Sequence, residues 1–120
     1  MACENEIVNS IVRILDEKLA KDIEVLCVSE LTTMADYFVL ATGGSDRQVQ
    51  ALFDHVEEGL AKRGVFPVNR EGYRSGDWAL LGYDDVIVHI FQSETREFYG
   101  LERIWKDATI VDIESLKTAD

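Results

Sequence analysis

The chain has 120 residues, the length of one ordinary domain, and 47 % of them are hydrophobic, which excludes a disordered composition. Its 23 acidic and 12 basic residues leave a net charge of −11, which argues against gripping nucleic acid by its phosphates; the acidity either serves solubility or favours a partner that presents Lys and Arg. Cys3 and Cys27 form no Cys-x-x-Cys or Cys/His cluster, and no apolar run reaches the ~18 residues of a membrane span, so reduced cytosol is expected, with no metal, disulfide or membrane contact.

Ile7, Ile11, Leu15 and Leu19 recur every four residues, with Val8 and Val12 beside them. They predict an amphipathic helix from about Glu4 to Lys21. "DIEVLCVSEL" alternates Ile23, Val25 and Cys27 with polar or second-face residues and predicts a strand. "MADYFVLATG" is more continuously apolar and predicts a strand from Tyr37 to Thr42, buried on both faces.

"GGSDRQVQALFDHVEEGL" follows, and it allows two readings. Glycines before a helix often hold phosphates, which would mean a nucleotide loop. Against that, Ser45 and Gln48 form an S-x-x-Q capping box, with the serine oxygen on the N3 amide and the glutamine reaching back to the N-cap amide. Asp46 puts a carboxylate where an anion would sit, and neither G-x-G-x-x-G nor G-x-x-x-x-G-K-[ST] is present. Val49, Leu52, Phe53, Val56 and Leu60 make the apolar stripe of this helix, and Gly64 stands where it would close. His55 falls off the stripe and is expected in solvent.

"VFPVN" then predicts a short strand, at an edge because of Pro67, and "REGYRSGD" a loop. "WALLGYDDVIVHIF" predicts a β-hairpin of Trp78–Leu81 and Val86–Phe91. A Tyr83-Asp84 loop would set Trp78 opposite His89, and a Gly82-Tyr83 loop would set it opposite Ile87. Either even loop puts Trp78, Leu80, Ile87, His89 and Phe91 on one face and Ala79, Leu81, Val86, Val88 and Ile90 on the other. The second set suits packing under helices. The first is either another buried face, with His89 hydrogen-bonded inside, or a partly exposed aromatic docking surface.

A third helix is expected from Ser93 or Glu94, with Phe98, Leu101 and Trp105 on one stripe and Ile104 beside it. Glu94, Arg96, Glu97, Glu102 and Arg103 would form its solvated face. From Ala108 onward, Ile110, Val111, Ile113 and Leu116 suit a strand, a docked arm or a frayed end. The order α-β-β-α-β-β-β-α predicts one α/β domain over residues 1–107, a mixed β-sheet with helices packed on it, followed by a C-terminal tail over 108–120.

"DYFVLATGGSDRQVQAL", Glu71-Gly72, "WALLGYDDVIVHIF" and "REFYGLERIWKDA" resemble, in this order, the blocks of the ribosomal silencing factor family, also called Iojap-related proteins. The resemblance runs from Asp36 to Ala108. It implies a cytoplasmic binding protein, not an enzyme, with no cofactor. Members of that family dock on the large ribosomal subunit, on the ribosomal protein uL-fourteen at the subunit-joining face. They block association with the small subunit and so repress translation, and organellar relatives act in large-subunit biogenesis. It also implies a nucleotidyltransferase-like fold, in which Gly44-Ser45 stands where such enzymes keep a Gly-Ser but the D-x-D metal pair is missing. Among the matching positions, the resemblance points to Trp78, His89 and Tyr99 as anchors and to Glu71, Asp36 and Glu102 facing basic groups of the partner. A homodimer is compatible with it. The hairpin turn departs from the family pattern, with Gly82-Tyr83-Asp84-Asp85 where relatives read Asp-aromatic-Gly-Asp.

Overall fold

The computed structural model describes residues 5–111 and residue 113. Glu4, Cys3 and Leu116 therefore lie outside the described residues. Helix α1 (Glu6–Glu17) starts where the Asn5 carboxamide accepts from the amides of Ile7 and Val8, a side-chain cap for two orphan donors. It ends earlier than the four-residue spacing predicts. Leu19 N–H donates to the Asp16 carbonyl and Ala20 N–H to the Leu15 carbonyl, a Schellman closure with Leu19 in the left-handed place that glycine usually takes. Leu19 is thus no member of the apolar stripe: it is 76 % exposed. Strand β1 (Lys21–Cys27) follows, with a bulge between Lys21 and Glu24 that holds Asp22 at φ 50.

Strand β2 (Tyr37–Gly43) is buried from Phe38 to Gly43, as its continuous apolarity predicts. Ser45 caps α2 (Asp46–Ala61): its Oγ accepts from the Gln48 amide at 3.1 Å. Gln48 reaches back one residue further than expected, to the Gly44 amide and not to that of Ser45. The five stripe residues of α2 are all buried, while His55 is half-buried. Gly64, at φ 79, closes α2 by donating to Ala61 while Val65 donates to Leu60.

Strand β3 (Asn69–Glu71) begins at the last residue of "VFPVN" and runs into the segment expected as a loop; Phe66 and Val68 are exposed on the approach. The edge position of this strand is as the proline predicts. Strands β4 (Trp78–Gly82) and β5 (Val86–Gln92) make the hairpin. Its loop is Asp84-Asp85, neither of the two loops anticipated, so Trp78 stands opposite Phe91, Leu80 opposite His89 and Gly82 opposite Ile87. Neither aspartate has a positive φ, so the turn is not a primed type. The amides of Asp36 and Tyr37 brace it by donating to the Asp85 carbonyl, at 2.8 and 3.1 Å. The slip from either expected register is even, so the face assignment stands.

Helix α3 (Ser93–Tyr99) stops at Gly100, which is left-handed at φ 56, and α4 (Leu101–Ile104) restarts in a new direction. The expected single stripe is therefore broken. Leu101 is buried and Trp105 packs edge-on against Phe38 at 5.2 Å, but Phe98 is 77 % exposed. Within the segment from Ala108, expected as a strand, a docked arm or a frayed end, β6 (Thr109–Val111) pairs antiparallel with β1, and Val111 and Ile113 are buried.

Among the described residues six strands run in the order β3-β4-β5-β2-β1-β6, with β2 and β5 parallel and the other neighbours antiparallel. This is the mixed α/β sheet that the element order predicts. Helices α1 and α2 cover one face, over Val25, Val39, Ala41, Ala79, Leu81, Val86, Val88 and Ile90. The other face carries Leu26, Phe38, Leu40 and Phe91, with Trp78 and Ile87 beside them, and among the described residues the short α3–α4 segment is the helical cover over it.

Candidate functional site

Pairing across the sheet aligns residues in rows. Glu71, Leu80, His89, Leu40 and Glu24 form one row, and Trp78, Phe91 and Thr42 the next. Directly paired residues share a face, so Glu71 projects on the same side as Trp78 and Leu80. The α3–α4 segment covers the end of these rows over β2 and β1. The end over β3 and β4 stays half open, with Trp78, Leu80 and Ile87 partly exposed.

Trp78 is the centre of this opening. Its ring lies 5.4 Å from that of Phe91 and 4.8 Å from that of Tyr99, between centroids. Its indole Nε1–H donates to His89 Nδ1 at 3.1 Å. A hollow of about 580 Å³ opens on one side of it, lined by Ser75, Asp77, Trp78, Glu94, Thr95, Phe98 and Tyr99. A smaller one of about 290 Å³ opens on the other side, lined by Glu71, Gly72, Trp78 and Leu80. Both hollows pair aromatic or aliphatic walls with carboxylates, and among the described residues no Lys or Arg lines either.

Local chemistry explains how the chain reaches this arrangement. Gly72 sits at φ 75, and a Cβ there would lie 2.0 Å from the Trp78 carbonyl oxygen, so only glycine lets the loop cross β4 beside the tryptophan. Gly76 packs against the first residue of α2: a Cβ there would meet the Asp46 backbone at under 3 Å. The amides of the Gly43–Gln48 turn serve the helix, since Gln48 takes the Gly44 N–H and Ser45 takes the Gln48 N–H. Of the two readings of that stretch, helix start is the one this geometry fulfils. Among the described residues, no group of three His, Cys, Asp or Glu is placed to hold a metal ion.

The expected site residues fall into two groups. Trp78, Tyr99 and Glu71 come together at the open end, with Tyr99 49 % exposed. His89 lies directly beneath them but is buried, at 6 % exposure, with its ring edge-on to Phe38. Burial pulls its pKa down to about 4, so the imidazole is neutral at neutral pH. Asp36 is exposed at the far end of the sheet, beside the hairpin turn. It lies six residues along β2 from Thr42 in the Trp78 row, about 20 Å away. Glu102 is engaged internally, by Arg96 at 2.9 Å.

Arg96 overturns the expected solvated face of α3. It is 9 % exposed, and its guanidinium donates to Glu102 Oε2, to Thr42 Oγ1 and to the Asp22 carbonyl that the β1 bulge turns toward it. Glu24 stands at 3.9 Å, with its pKa raised by burial and by Glu102 against the pull of Arg96. The arginine therefore ties α3, and with it Tyr99, to the sheet. Sequence reasoning missed Asp77, Glu94, Thr95 and Phe98 as neighbours of Trp78. The glycine at position 100 was the signal that α3 would break and leave Phe98 outside.

Comparison with known proteins gives a consistent result. A family described as "Ribosomal silencing factor during starvation" matches residues 2–120. A Bacillus subtilis protein named ribosomal silencing factor RsfS is 35 % identical over 99 residues, covering 82 % of this chain and 84 % of its own. A crystal structure from Chromobacterium violaceum superposes with a TM-score of 0.82 at 38 % identity, over 84 % of each chain. A mouse protein named mitochondrial assembly of ribosomal large subunit protein 1 is 31 % identical over 101 residues, covering 82 % of this chain and 44 % of its own.

Proposed function

The chain belongs to the ribosomal silencing factor family, and from that premise we propose that it docks on the large ribosomal subunit through the open aromatic end of its sheet. The partner is the large-subunit protein uL-fourteen at the subunit-joining face. A bound factor there blocks the small subunit sterically, so translation is repressed in the cytoplasm without any reaction being catalysed. The observation that carries this reading is Trp78, half covered and flanked by two acid-rimmed hollows with no basic residue among the described residues that line them. A partly buried tryptophan with free space on both sides is a typical interface anchor, because it buries much area at little entropy cost.

Glu71, Asp77 and Glu94 set the chemistry of the partner. Carboxylates around an aromatic centre favour Lys and Arg side chains, which can lie along the rings while their charges meet the rim. The net charge of −11 works in the same direction, keeping the rest of the molecule away from rRNA phosphates. Asp36 is proposed as a separate, peripheral contact, and Glu102 as a further one, made while Arg96 holds its Oε2.

Cosedimentation with purified subunits tests the reading. The protein is expected to travel with large subunits, not with small ones, and at saturation to stop the two from joining. Association is expected to slow as salt rises, because exposed carboxylates steer the encounter. No cosedimentation with large subunits at low salt would overturn it.

A further inference from the structure

His89 is an uneconomical residue for its place. It is walled by Phe38 edge-on at 5.2 Å and by Phe91 stacked at 6.1 Å, between Leu80 and Leu40 in its row. A phenyl ring would fill that space with no buried nitrogen of its own. The imidazole does bury one: Nε2 has no hydrogen-bond partner among the described residues, which costs stability. What it gains is a single acceptor. Because Nδ1 accepts from the Trp78 indole at 3.1 Å, the ring proton sits on Nε2, the very atom without a partner. The structure thus keeps a neutral imidazole in one tautomer, at a cost to the core, to hold one indole N–H.

We propose that His89 is a positioning residue of the docking face: its Nδ1 lone pair fixes the Trp78 indole at one angle between the two hollows before any partner arrives. This rests on the docking reading above and deepens it. An anchor already set in its bound orientation loses less conformational freedom on binding, and its N–H does not have to be withdrawn from water. Without the acceptor the indole has no partner inside the protein and is free to turn between Phe91 and Tyr99.

The test separates positioning from core filling by making them predict opposite orders. His89→Phe keeps the ring and removes the acceptor; His89→Asn keeps an acceptor oxygen near the Nδ1 position and removes the ring. Positioning predicts that His89→Phe melts at or above the parent temperature yet docks on purified large subunits roughly fivefold more weakly, the worth of a hydrogen bond. His89→Asn melts lower, yet its folded fraction docks more tightly than His89→Phe. The Trp78 indole N–H resonance exchanges with water faster in His89→Phe than in the parent or His89→Asn. Trp78→Phe, which removes the donor and leaves His89 in place, gives a second route should His89→Phe not fold, with the same loss expected. Parental docking by His89→Phe, or by Trp78→Phe, would overturn the proposal while leaving the docking face intact. Parental docking by Trp78→Ala would remove the docking reading itself.

Discussion

The two faces of one sheet have been put to different uses. On the α1–α2 face the inward residues of strands β4 and β5 are small or aliphatic, and Ala79, Leu81, Val86, Val88 and Ile90 are all fully buried, with Tyr83 beneath them at the turn the one aromatic of the hairpin on that side. On the opposite face the same two strands carry an indole, an imidazole and a phenyl ring, and two short helices joined at a left-handed glycine cover only part of them. The first face is closed by two long helices whose stripes match it. The second has more aromatic surface than its cover can bury. A fold that needed only stability would treat both faces as it treats the first, so the surplus marks where a partner completes the core.

Mutations can break this comparison if the faces are not in fact different in kind. The largest effect is expected on the closed face. Leu81→Ala should cost about 2–5 kcal/mol of stability, the usual range for a buried leucine truncation, with docking by the folded fraction unchanged; denaturant midpoints and binding isotherms check both. Arg96→Leu should cost about 3 kcal/mol, since it leaves Glu102, Thr42 and the Asp22 carbonyl without their shared donor. Unlike Leu81→Ala it should also weaken docking, because it frees α3 and moves Tyr99 from Trp78.

Acid should act through the open face. The folded pKa of His89 is about 4, below the ordinary 6.5, so the unfolded chain takes up the proton first. The stability gained from a neutral His89 is whole above pH 6.5 and is lost as pH falls toward 4, by up to about 3 kcal/mol. His89→Phe should flatten that limb of a stability-against-pH curve. The smallest effect belongs to neither face. Ser45→Ala should cost about 1 kcal/mol through the lost cap and leave docking as it was. A loss of docking at constant stability would make the Gly44–Ser45 turn a contact site.

Much of this was legible in the sequence, for identifiable reasons. The stripes of α1 and α2 and the continuous apolarity of β2 reflect local periodicity, which burial enforces. The parity of the hairpin was legible even though its register was not: any even loop keeps the faces, while the choice of Asp84-Asp85 depends on the Asp85 carbonyl being held by the next strand. What escaped was decided across long separations. Arg96 reads as one more charge on a polar helix until the β1 bulge, Thr42 and Glu102 are brought around it. Leu19 reads as the fourth member of a stripe, and only the Schellman closure removes it. For the candidate site, Trp78, Tyr99 and Glu71 lie together at the open end of the sheet. Asp36 does not, since the opposite ends of one strand cannot serve one hollow.

The central claim is that the open end of the sheet, with Trp78 at its middle, is made for a partner and not for the core. Measuring the affinity of Trp78→Ala for purified large subunits alongside its denaturation midpoint tests this most directly. The account predicts a binding loss of about 2 kcal/mol or more, a typical hot-spot value, with a fall in stability well short of the ~3–5 kcal/mol of a core aromatic truncation. A variant that unfolds early, yet binds as tightly as the parent once folded, would contradict it.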